Sequence, residues 1–319
     1  MERNPIASRR GLFRFGLLVE MEACGHGAGV VSPALKANIT AHSVADRSFT
    51  FRDYVYAEPK TAGSSTSISD VAWIMAEARE CQDAMQSEAG WNTSIHFPLL
   101  HKAIYGVRRH ARLVGTAPCT TAGIIKEYLP RNAGGKMIDF CLFLNPTQSP
   151  VARDKNIAAP AISKLSRSLP CSVINHTDFL PLRGRPIAVS IETKKRGGSQ
   201  QDAELPMTTW HAAQWKLLSR LVQDAGRSLD GLPFVPAVLV NGNDWIFAAS
   251  TREGEKTILW LERSFGSTGT ALGTYSVVWG LQRLARWAEE VYWPWFCRNV
   301  LGMSIPTSPQ DITAPAGQR

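Results

Sequence analysis

Two short stretches decide the fold of this chain: Lys136-Met-Ile-Asp139-Phe-Cys-Leu-Phe-Leu144 and Pro186-Ile-Ala-Val-Ser-Ile-Glu192-Thr-Lys194. Both are apolar and partly β-branched, which predicts two short strands. Each stretch carries charge where a buried strand ordinarily has none. Because side chains alternate between the two faces of a strand, Glu192 and Lys194 project from the same face. If Asp139 lies on the neighbouring strand, two carboxylates and an ammonium group meet at one point.

Two carboxylates and a lysine in this arrangement are typical of a Mg²⁺-dependent phosphodiesterase site. A hard cation prefers oxygen ligands such as the carboxylates of Asp139 and Glu192 and the strand carbonyl of Thr193. Lys194 would orient or activate a water molecule. The same spacing also arises by chance, from two charges at strand edges that form an ordinary salt bridge. Spacing alone leaves both interpretations open.

Composition and charge favour an acidic partner. The 319 residues are 44% hydrophobic and include ten tryptophans, which excludes global disorder. The net charge of +8 favours nucleic acid first and a membrane surface second. Seven Lys and Arg residues lie between positions 164 and 196, around the candidate site. The predicted nucleic-acid contacts among them are Arg183, Arg185, Lys195 and Arg196.

The remaining composition points to an intracellular protein. The six cysteines include no C-x-x-C pair and no histidine at ligand spacing, so no zinc site is predicted. Arg14 and Glu20 interrupt the early apolar residues, so no secretory segment is predicted. The uncharged stretch 264–282 is too rich in Gly, Ser and Thr to lie in lipid. We expect a cytoplasmic protein without a membrane partner.

Changes in composition and apolar periodicity divide the chain into three parts. Residues 1–60 have weak periodicity and are predicted to form a variable N-terminal arm. The main domain is predicted over 61–300, beginning with a Gly/Ser/Thr linker. Residues 301–319 are predicted to be a flexible tail.

Within the main domain, apolar spacing predicts a helix over about 71–86 and a second, amphipathic helix over about 204–226. The stretch 91–98 is interpreted as a strand that ends at a proline. Asn241-Gly242 between two apolar runs predicts a hairpin with a type I′ turn. The last helix is predicted to stop at Pro294.

This order of elements resembles the PD-(D/E)XK, restriction-endonuclease-like fold, an α/β core with a mixed central sheet flanked by helices. More specifically, the chain resembles the fungal PD-(D/E)XK nuclease-like domain family over about residues 68–300. The segments that carry the resemblance are Glu77-Ala-Arg-Glu-Cys81, Ser87-Glu-Ala-Gly-Trp-Asn92, His96-Phe-Pro-Leu-Leu100, Lys136-Met-Ile-Asp139, Ile174-Asn-His-Thr-Asp178, Pro186–Lys194 and Thr209-Trp-His-Ala-Ala-Gln-Trp215.

The resemblance implies further site residues. In the wider superfamily a helix glutamate often joins the site, and Glu88 or Glu80 would fill that place. Gln214 resembles the glutamine that some members carry in the helix after the Glu-x-Lys motif. The tyrosine expected four residues later is Leu218 here, so the role of Gln214 is open.

The fungal family includes arginine-containing cyclodipeptide synthases of secondary-metabolite pathways. They take arginine from arginyl-tRNA, join it to a second amino acid and close a diketopiperazine. The resemblance therefore implies an enzyme that uses aminoacyl-tRNA and needs no cofactor. Asp139 or Glu192 would pair with the arginine guanidinium, and Lys194 would transfer the proton if burial lowers its pKa.

Two alternatives remain beside the synthase. The first is a Mg²⁺-dependent endonuclease in which Asp139 and Glu192 hold the metal. The second is a degenerate nuclease fold that only binds nucleic acid, although the presence of Asp, Glu and Lys together argues against it.

Overall fold

A single mixed β-sheet organises the molecule. The computed structural model describes residues 16–56, 66–106, 112–130, 134–135, 137–197 and 200–303. In these segments six strands pair in the order β1-β2-β3-β4-β5-β6. They are Val114–Pro118 (β1), Phe140–Leu144 (β2), Ile187–Lys194 (β3), Val235–Asn241 (β4), Asp244–Glu253 (β5) and Lys256–Ser267 (β6). β3 and β4 run parallel, and the other neighbouring strands run antiparallel.

Helices pack against this sheet, so the predicted mixed α/β core is confirmed. The α-helices of the described segments are Leu17–Gly25 (α1), Lys36–His42 (α2), Ile68–Asp83 (α3), Glu88–Trp91 (α4), Phe97–Tyr105 (α5), Ala159–Ser166 (α6), Gln200–Asp224 (α7), Ala271–Trp287 (α8) and Trp293–Asn299 (α9). Three π-helical stretches join or extend them, at Asn92–His96, Asp154–Ala158 and Ala288–Tyr292.

β3 lies in the interior of the sheet. Ile191 pairs with Phe140 of β2 on one side, and Glu192 pairs with Leu239 of β4 on the other. Seven of its eight residues are buried, as expected of a strand with packed layers on both faces. The acidic end of the predicted motif therefore lies inside the fold rather than on its surface.

The predicted strand over 91–98 is wrong. Ser87 caps α4 by accepting a hydrogen bond from the Gly90 amide at 3.3 Å, and the chain stays helical from Glu88 to Tyr105. Pro98 does not end this segment. It lies in the first turn of α5, directly after the π-helical stretch at Asn92–His96, so the hydrogen-bond pattern of the helix changes at the point where the proline lacks an N–H.

The predicted end of the last helix at Pro294 is also wrong. The chain remains helical through Pro294 as far as Asn299, because a π-helical stretch precedes the proline. The predicted hairpin is confirmed, with Asn241 paired to Asp244. Its turn is centred on Gly242 and Asn243, and of these two only Gly242 has a positive φ, at 56°, so the turn is not type I′.

Much of the predicted N-terminal arm belongs to the folded body. Leu17, Leu18, Met21 and Cys24 of α1 are buried in the main core, and α1 packs on β6 and α8. Residues 1–15 and 57–60 of the arm, 61–65 of the linker and 304–319 of the tail lie outside the described residues. In the part of the chain that the structure describes, no helix combines the length and apolar character needed to cross a membrane.

We predict that Gly280→Ala destabilises the protein. A Cβ at this position of α8 would lie 2.4 Å from Cδ2 of the fully buried Phe265 ring. Such overpacking costs about 1–3 kcal/mol, more than the gain of up to about 1 kcal/mol from replacing glycine in a helix. Urea unfolding measures the difference.

Gly184→Ala is the control for this substitution, because the nearest atom to its added Cβ is Ile162 Cγ2 at 4.0 Å. We expect its free energy of unfolding to change by less than about 0.5 kcal/mol. Equal effects of the two substitutions would contradict the close packing of α8 on β6.

Candidate active site

The end of β3 carries a buried ion pair. Only 4% of the Glu192 side chain is exposed, and Lys194 Nζ donates to its Oε1 at 2.7 Å. The same ammonium donates to the Thr193 carbonyl at 2.7 Å and contacts Glu88 Oε2 at 3.3 Å. Glu88 reaches this point from the first turn of α4, so the helix glutamate that the family resemblance implies does meet the motif.

Asp139 joins this group from the neighbouring strand. It lies one residue before β2, and its Oδ2 accepts hydrogen bonds from the Thr193 amide at 2.8 Å and the Thr193 hydroxyl at 2.9 Å. Its Oδ1 accepts from Asn92 Nδ2 at 3.1 Å. The structure therefore brings Asp139, Glu192 and Lys194 to the same end of the sheet, with Asp139 held through Thr193 and Lys194 held through Glu192.

A second layer of polar contacts fixes Asn92. Its Oδ1 lies 2.7 Å from the Thr193 hydroxyl and 2.9 Å from His96 Nδ1. The other ring nitrogen of His96, Nε2, lies 2.9 Å from the Gly242 carbonyl oxygen. Burial lowers the pKa of His96 to about 4, so the ring is neutral at pH 7 and its single N–H donates to one of these two oxygens at a time. These contacts tie the helical segment to the β4–β5 turn.

The pKa values of Glu192 and Lys194 favour Glu192, rather than Lys194, as the group that transfers a proton. Burial, and then the charge of Asp139, raises the pKa of Glu192 to about 8 against the opposing effect of Lys194. Burial acts to lower the pKa of Lys194, but the hydrogen bond and charge of Glu192, then Glu88 and Asp139, raise it overall. The condition under which Lys194 would transfer a proton, a pKa lowered by burial, is therefore not met. Lys194 stays protonated, and Glu192 titrates at about pH 8.

These residues line a cleft of about 750 Å³, a volume within the range of small-molecule sites. Its carboxylates are Glu88, Asp139 and Glu192, and the lining contains no Lys or Arg among the residues that the structure describes. The other lining residues are Ala89, Asn92, Thr93, Phe97, Pro118, Thr120, Gly135, Met137, Ile138 and Phe140. The described walls are thus acidic at one end and largely apolar elsewhere.

The lysine occupies oxygens that the predicted Mg²⁺ site would use. Lys194 Nζ holds the Glu192 carboxylate and the Thr193 carbonyl, two of the oxygens that a metal would need. Within the described residues no three His, Cys, Asp or Glu side chains are placed to hold a metal ion. Mg²⁺ is usually held by one or two carboxylates and keeps several waters, so a metal site here requires Lys194 to release these oxygens.

Some predicted site residues lie elsewhere. Gln214 donates to the Ile187 carbonyl at the opposite end of β3 from Lys194, so the structure does not bring it into the site. Its place is explained by packing of α7 under the sheet. Glu80 is exposed on α3, and Glu88 takes the place for which both were considered.

The four predicted nucleic-acid contacts separate into two pairs. Lys195 and Arg196 follow Lys194 directly and are exposed. Arg183 and Arg185 precede β3, so they lie about 30 Å away along the strand direction. Arg183 Nε donates to the Ser172 carbonyl at 2.9 Å, and Arg185 stacks over the Phe143 ring at 5.4 Å. These four residues therefore do not form one continuous basic patch.

Sequence reasoning missed Asn92 and Thr193 and gave His96 only a general structural role. Asn92 and His96 are four residues apart, which places them on one face of a helix, but the stretch was interpreted as a strand. Thr193 lies between Glu192 and Lys194 and was considered only for its carbonyl. Its hydroxyl reaches Asp139 because the strand ends there.

The comparison with known families agrees with this geometry. A family model described as the PD-(D/E)XK nuclease superfamily matches residues 38–293. The chain belongs to this superfamily. No curated protein and no solved structure matches the chain.

We predict that the contribution of Glu192 to protein stability falls as pH rises from about 5 to 8. The folded state keeps a proton on Glu192 up to a pKa of about 8, whereas the unfolded state releases it near the ordinary value of 4.5. Between these values the folded state holds one more proton at this position, which lowers the free energy of unfolding by up to about 5 kcal/mol. The buried His96, His176 and His211, whose pKa values burial lowers, act in the opposite direction below about pH 6.5. The contribution of Glu192 is therefore measured as the difference between the unchanged protein and Glu192→Gln in urea unfolding at pH 5, 6, 7 and 8.

Glu192→Gln removes the titrating group, so we expect the difference in free energy of unfolding between the unchanged protein and this variant to decrease steadily over the same range. Glu80→Gln, at an exposed position of α3, serves as the matched control and keeps the slope of the unchanged protein. Parallel slopes for all three proteins would show that Glu192 is not the titrating group.

Proposed function

We propose that this protein is a tRNA-dependent, arginine-containing cyclodipeptide synthase that makes a cyclo(Arg-X) diketopiperazine from arginyl-tRNA and a second amino acid. The observation that carries the proposal is the acidic end of the cleft, where Glu88, Asp139 and Glu192 converge without a Lys or Arg in the described lining. Such a surface attracts an organic cation. At neutral pH Glu192 keeps its proton and Lys194 its charge, so the carboxylates of Glu88 and Asp139 leave this group of side chains with a net negative charge, which favours a cation over a phosphodiester.

The guanidinium of arginine suits this end of the cleft. It is planar, always charged, and prefers carboxylates that can accept more than one hydrogen bond. Glu88 has 38% of its side chain exposed and lines the cleft, so it is available for a ligand. Asp139 accepts three hydrogen bonds, and a carboxylate has about four acceptor positions. We assign the guanidinium to Glu88 and Asp139.

Glu192 is assigned to proton transfer. The aminoacyl ester of tRNA is already activated, so the protein must mainly place an amine against the ester carbonyl and move a proton. The second amino acid also arrives as an aminoacyl-tRNA ester, and two such transfers close the ring. In each, the amine nitrogen bonds to the carbonyl carbon of an ester, the bond to the ribose oxygen breaks and releases the tRNA, and the proton of the amine passes through the carboxyl group to that oxygen. A group with a pKa of about 8 gives and takes protons near neutral pH. Lys194 holds this carboxyl group in place at 2.7 Å.

The basic residues beside the site support an RNA partner. Lys195 and Arg196 follow the motif directly and are exposed. An RNA helix is contacted mainly through phosphates and 2′-hydroxyls, which such side chains can reach at the rim while the aminoacyl group enters the cleft.

A Mg²⁺-dependent endonuclease is the second candidate. It is favoured by the superfamily to which the chain belongs and by the Asp139, Glu192 and Lys194 constellation that the superfamily uses. It would require Lys194 to leave the Glu192 and Thr193 oxygens that it occupies. Fold alone does not choose between the two activities.

We predict that the purified protein, supplied with tRNA, amino acids, ATP and aminoacyl-tRNA synthetases, forms a cyclic dipeptide that contains arginine. Ribonuclease treatment abolishes the product, because the activated ester is carried by tRNA. Glu192→Gln keeps the shape of the side chain but cannot transfer a proton, so we expect the rate to fall at least about 100-fold. Mass spectrometry of the product measures both effects.

Glu80→Gln is the matched control and should leave the rate unchanged, since Glu80 is exposed outside the cleft. Parallel assays contain labelled DNA or RNA with Mg²⁺. Cleavage that is lost in Glu192→Gln, without any cyclic dipeptide from the full set of amino acids, would identify the endonuclease instead.

We predict that the paired reversal Lys195→Glu and Arg196→Glu weakens tRNA binding and flattens its dependence on salt. Each lost phosphate contact removes the release of counterions that drives association. Filter binding at 50–200 mM salt measures the slope. Arg183→Glu with Arg185→Glu is the charge-matched comparison at the other end of β3, and we expect it to have the smaller effect. A larger effect of this second pair would place the RNA elsewhere.

A further inference from the structure

The cleft has an apolar wall that the carboxylates do not explain. The rings of Phe97 and Phe140 stack there with centroids 6.0 Å apart and planes 13° apart. Met137 belongs to the same wall, yet 46% of its surface is exposed. The other apolar residues of the described lining are Ala89, Pro118 and Ile138. A concave apolar surface of this kind gains free energy when a ligand covers it.

The acidic and apolar parts of the cleft follow each other along one helical wall. Glu88, Asn92 and Phe97 all line the cleft and lie four and five residues apart. At about 1.5 Å per residue, Glu88 and Phe97 are separated by about 14 Å along the axis. Along the wall, the carboxylate of Glu88 is followed by the amide of Asn92 and then by the ring of Phe97. Two joined amino acids can span this length.

The chemistry of the apolar wall selects its occupant. A charged side chain placed against Phe97, Phe140 and Met137 would lose its water without gaining an ionic partner. The remaining polar side chains of the described lining, Asn92, Thr93 and Thr120, are uncharged. Met137 can adapt its flexible side chain to ligands of different shape. Hydrophobic side chains, aliphatic or aromatic, are the ligands that fit.

We infer that the apolar wall receives the side chain of the second amino acid, so that the product joins arginine to a hydrophobic residue, with Phe97 and Met137 as specificity-determining residues. This inference rests on the proposed synthase function. It adds to that function the identity of the second substrate class, which the acidic end of the cleft does not determine.

The test is a competition among second substrates. The protein is supplied with arginyl-tRNA and with tRNAs charged with all the other amino acids at equal concentration, and the cyclic dipeptides are quantified by mass spectrometry. Leucine against asparagine and methionine against glutamine are pairs of similar size. We expect the hydrophobic member of each pair to exceed the polar one by at least about tenfold.

Two variants test whether Phe97 selects the second amino acid. Phe97→Ala removes the ring from the wall, and we expect the leucine-to-asparagine ratio to fall about tenfold while arginine remains in every product. Phe97→Leu keeps an apolar wall of similar bulk, so the ratio should stay high. Trp73→Ala is the control, because Trp73 is an exposed aromatic residue on α3 outside the cleft lining. Thermal unfolding checks that each variant is folded.

The product distribution of the unchanged protein decides the inference even if a variant fails to fold. Arginine-containing products whose second residue is mainly polar or charged would overturn the apolar pocket and leave the synthase function standing. A ratio that is high but identical in the unchanged protein and a folded Phe97→Ala would overturn the assignment to this wall. The complete absence of cyclic dipeptides would overturn the synthase function, and the inference with it.

Discussion

The arrangement of the site depends on charge buried in an interior strand. Glu192 lies in β3 between β2 and β4, where 4% of its side chain is exposed. A buried carboxylate is tolerated only when it is paired or protonated. Burial raises the pKa of Glu192 to about 8, so the group is mainly protonated at neutral pH, and above that pH Lys194, which donates to it at 2.7 Å, pairs with the carboxylate. The neighbouring contacts of Thr193, Glu88 and Asp139 extend from this pair.

The second requirement is a rigid wall opposite the strand ends. The helical segment from Glu88 to Tyr105 supplies it, with a π-helical stretch at Asn92–His96 that lies at the site. Such stretches are frequent at functional sites because they alter which side chains share a face. His96 is buried between Asn92 Oδ1 and the Gly242 carbonyl, each 2.9 Å from a ring nitrogen, and connects the segment to the β4–β5 turn. Packing therefore holds the helical wall of the cleft, while the connection between β1 and β2 supplies Thr120, Gly135, Met137 and Ile138.

Membership of the PD-(D/E)XK nuclease superfamily sets the scaffold and leaves the chemistry open. The same three residue types that surround a metal ion in a nuclease here form an ammonium–carboxylate pair beside a hydrogen-bonded aspartate. A site of this composition can recognise a cation and transfer a proton. Under the proposed function the same scaffold serves group transfer, with Lys194 and a cationic substrate supplying the positive charge that a metal ion supplies in a nuclease.

The sequence by itself determined the strands around Asp139 and Glu192 and the face shared by Glu192 and Lys194. It also determined the hairpin at Asn241-Gly242, because period-two alternation and turn residues act over a few positions. It failed for 91–98, where apolar spacing suits strand and helix alike, and packing made the segment helical. Only the tertiary structure decided that Lys194 has a raised rather than a lowered pKa and that Gln214 lies far from the site. Both depend on which residues surround a side chain in space, and residues far apart in the sequence supply those surroundings.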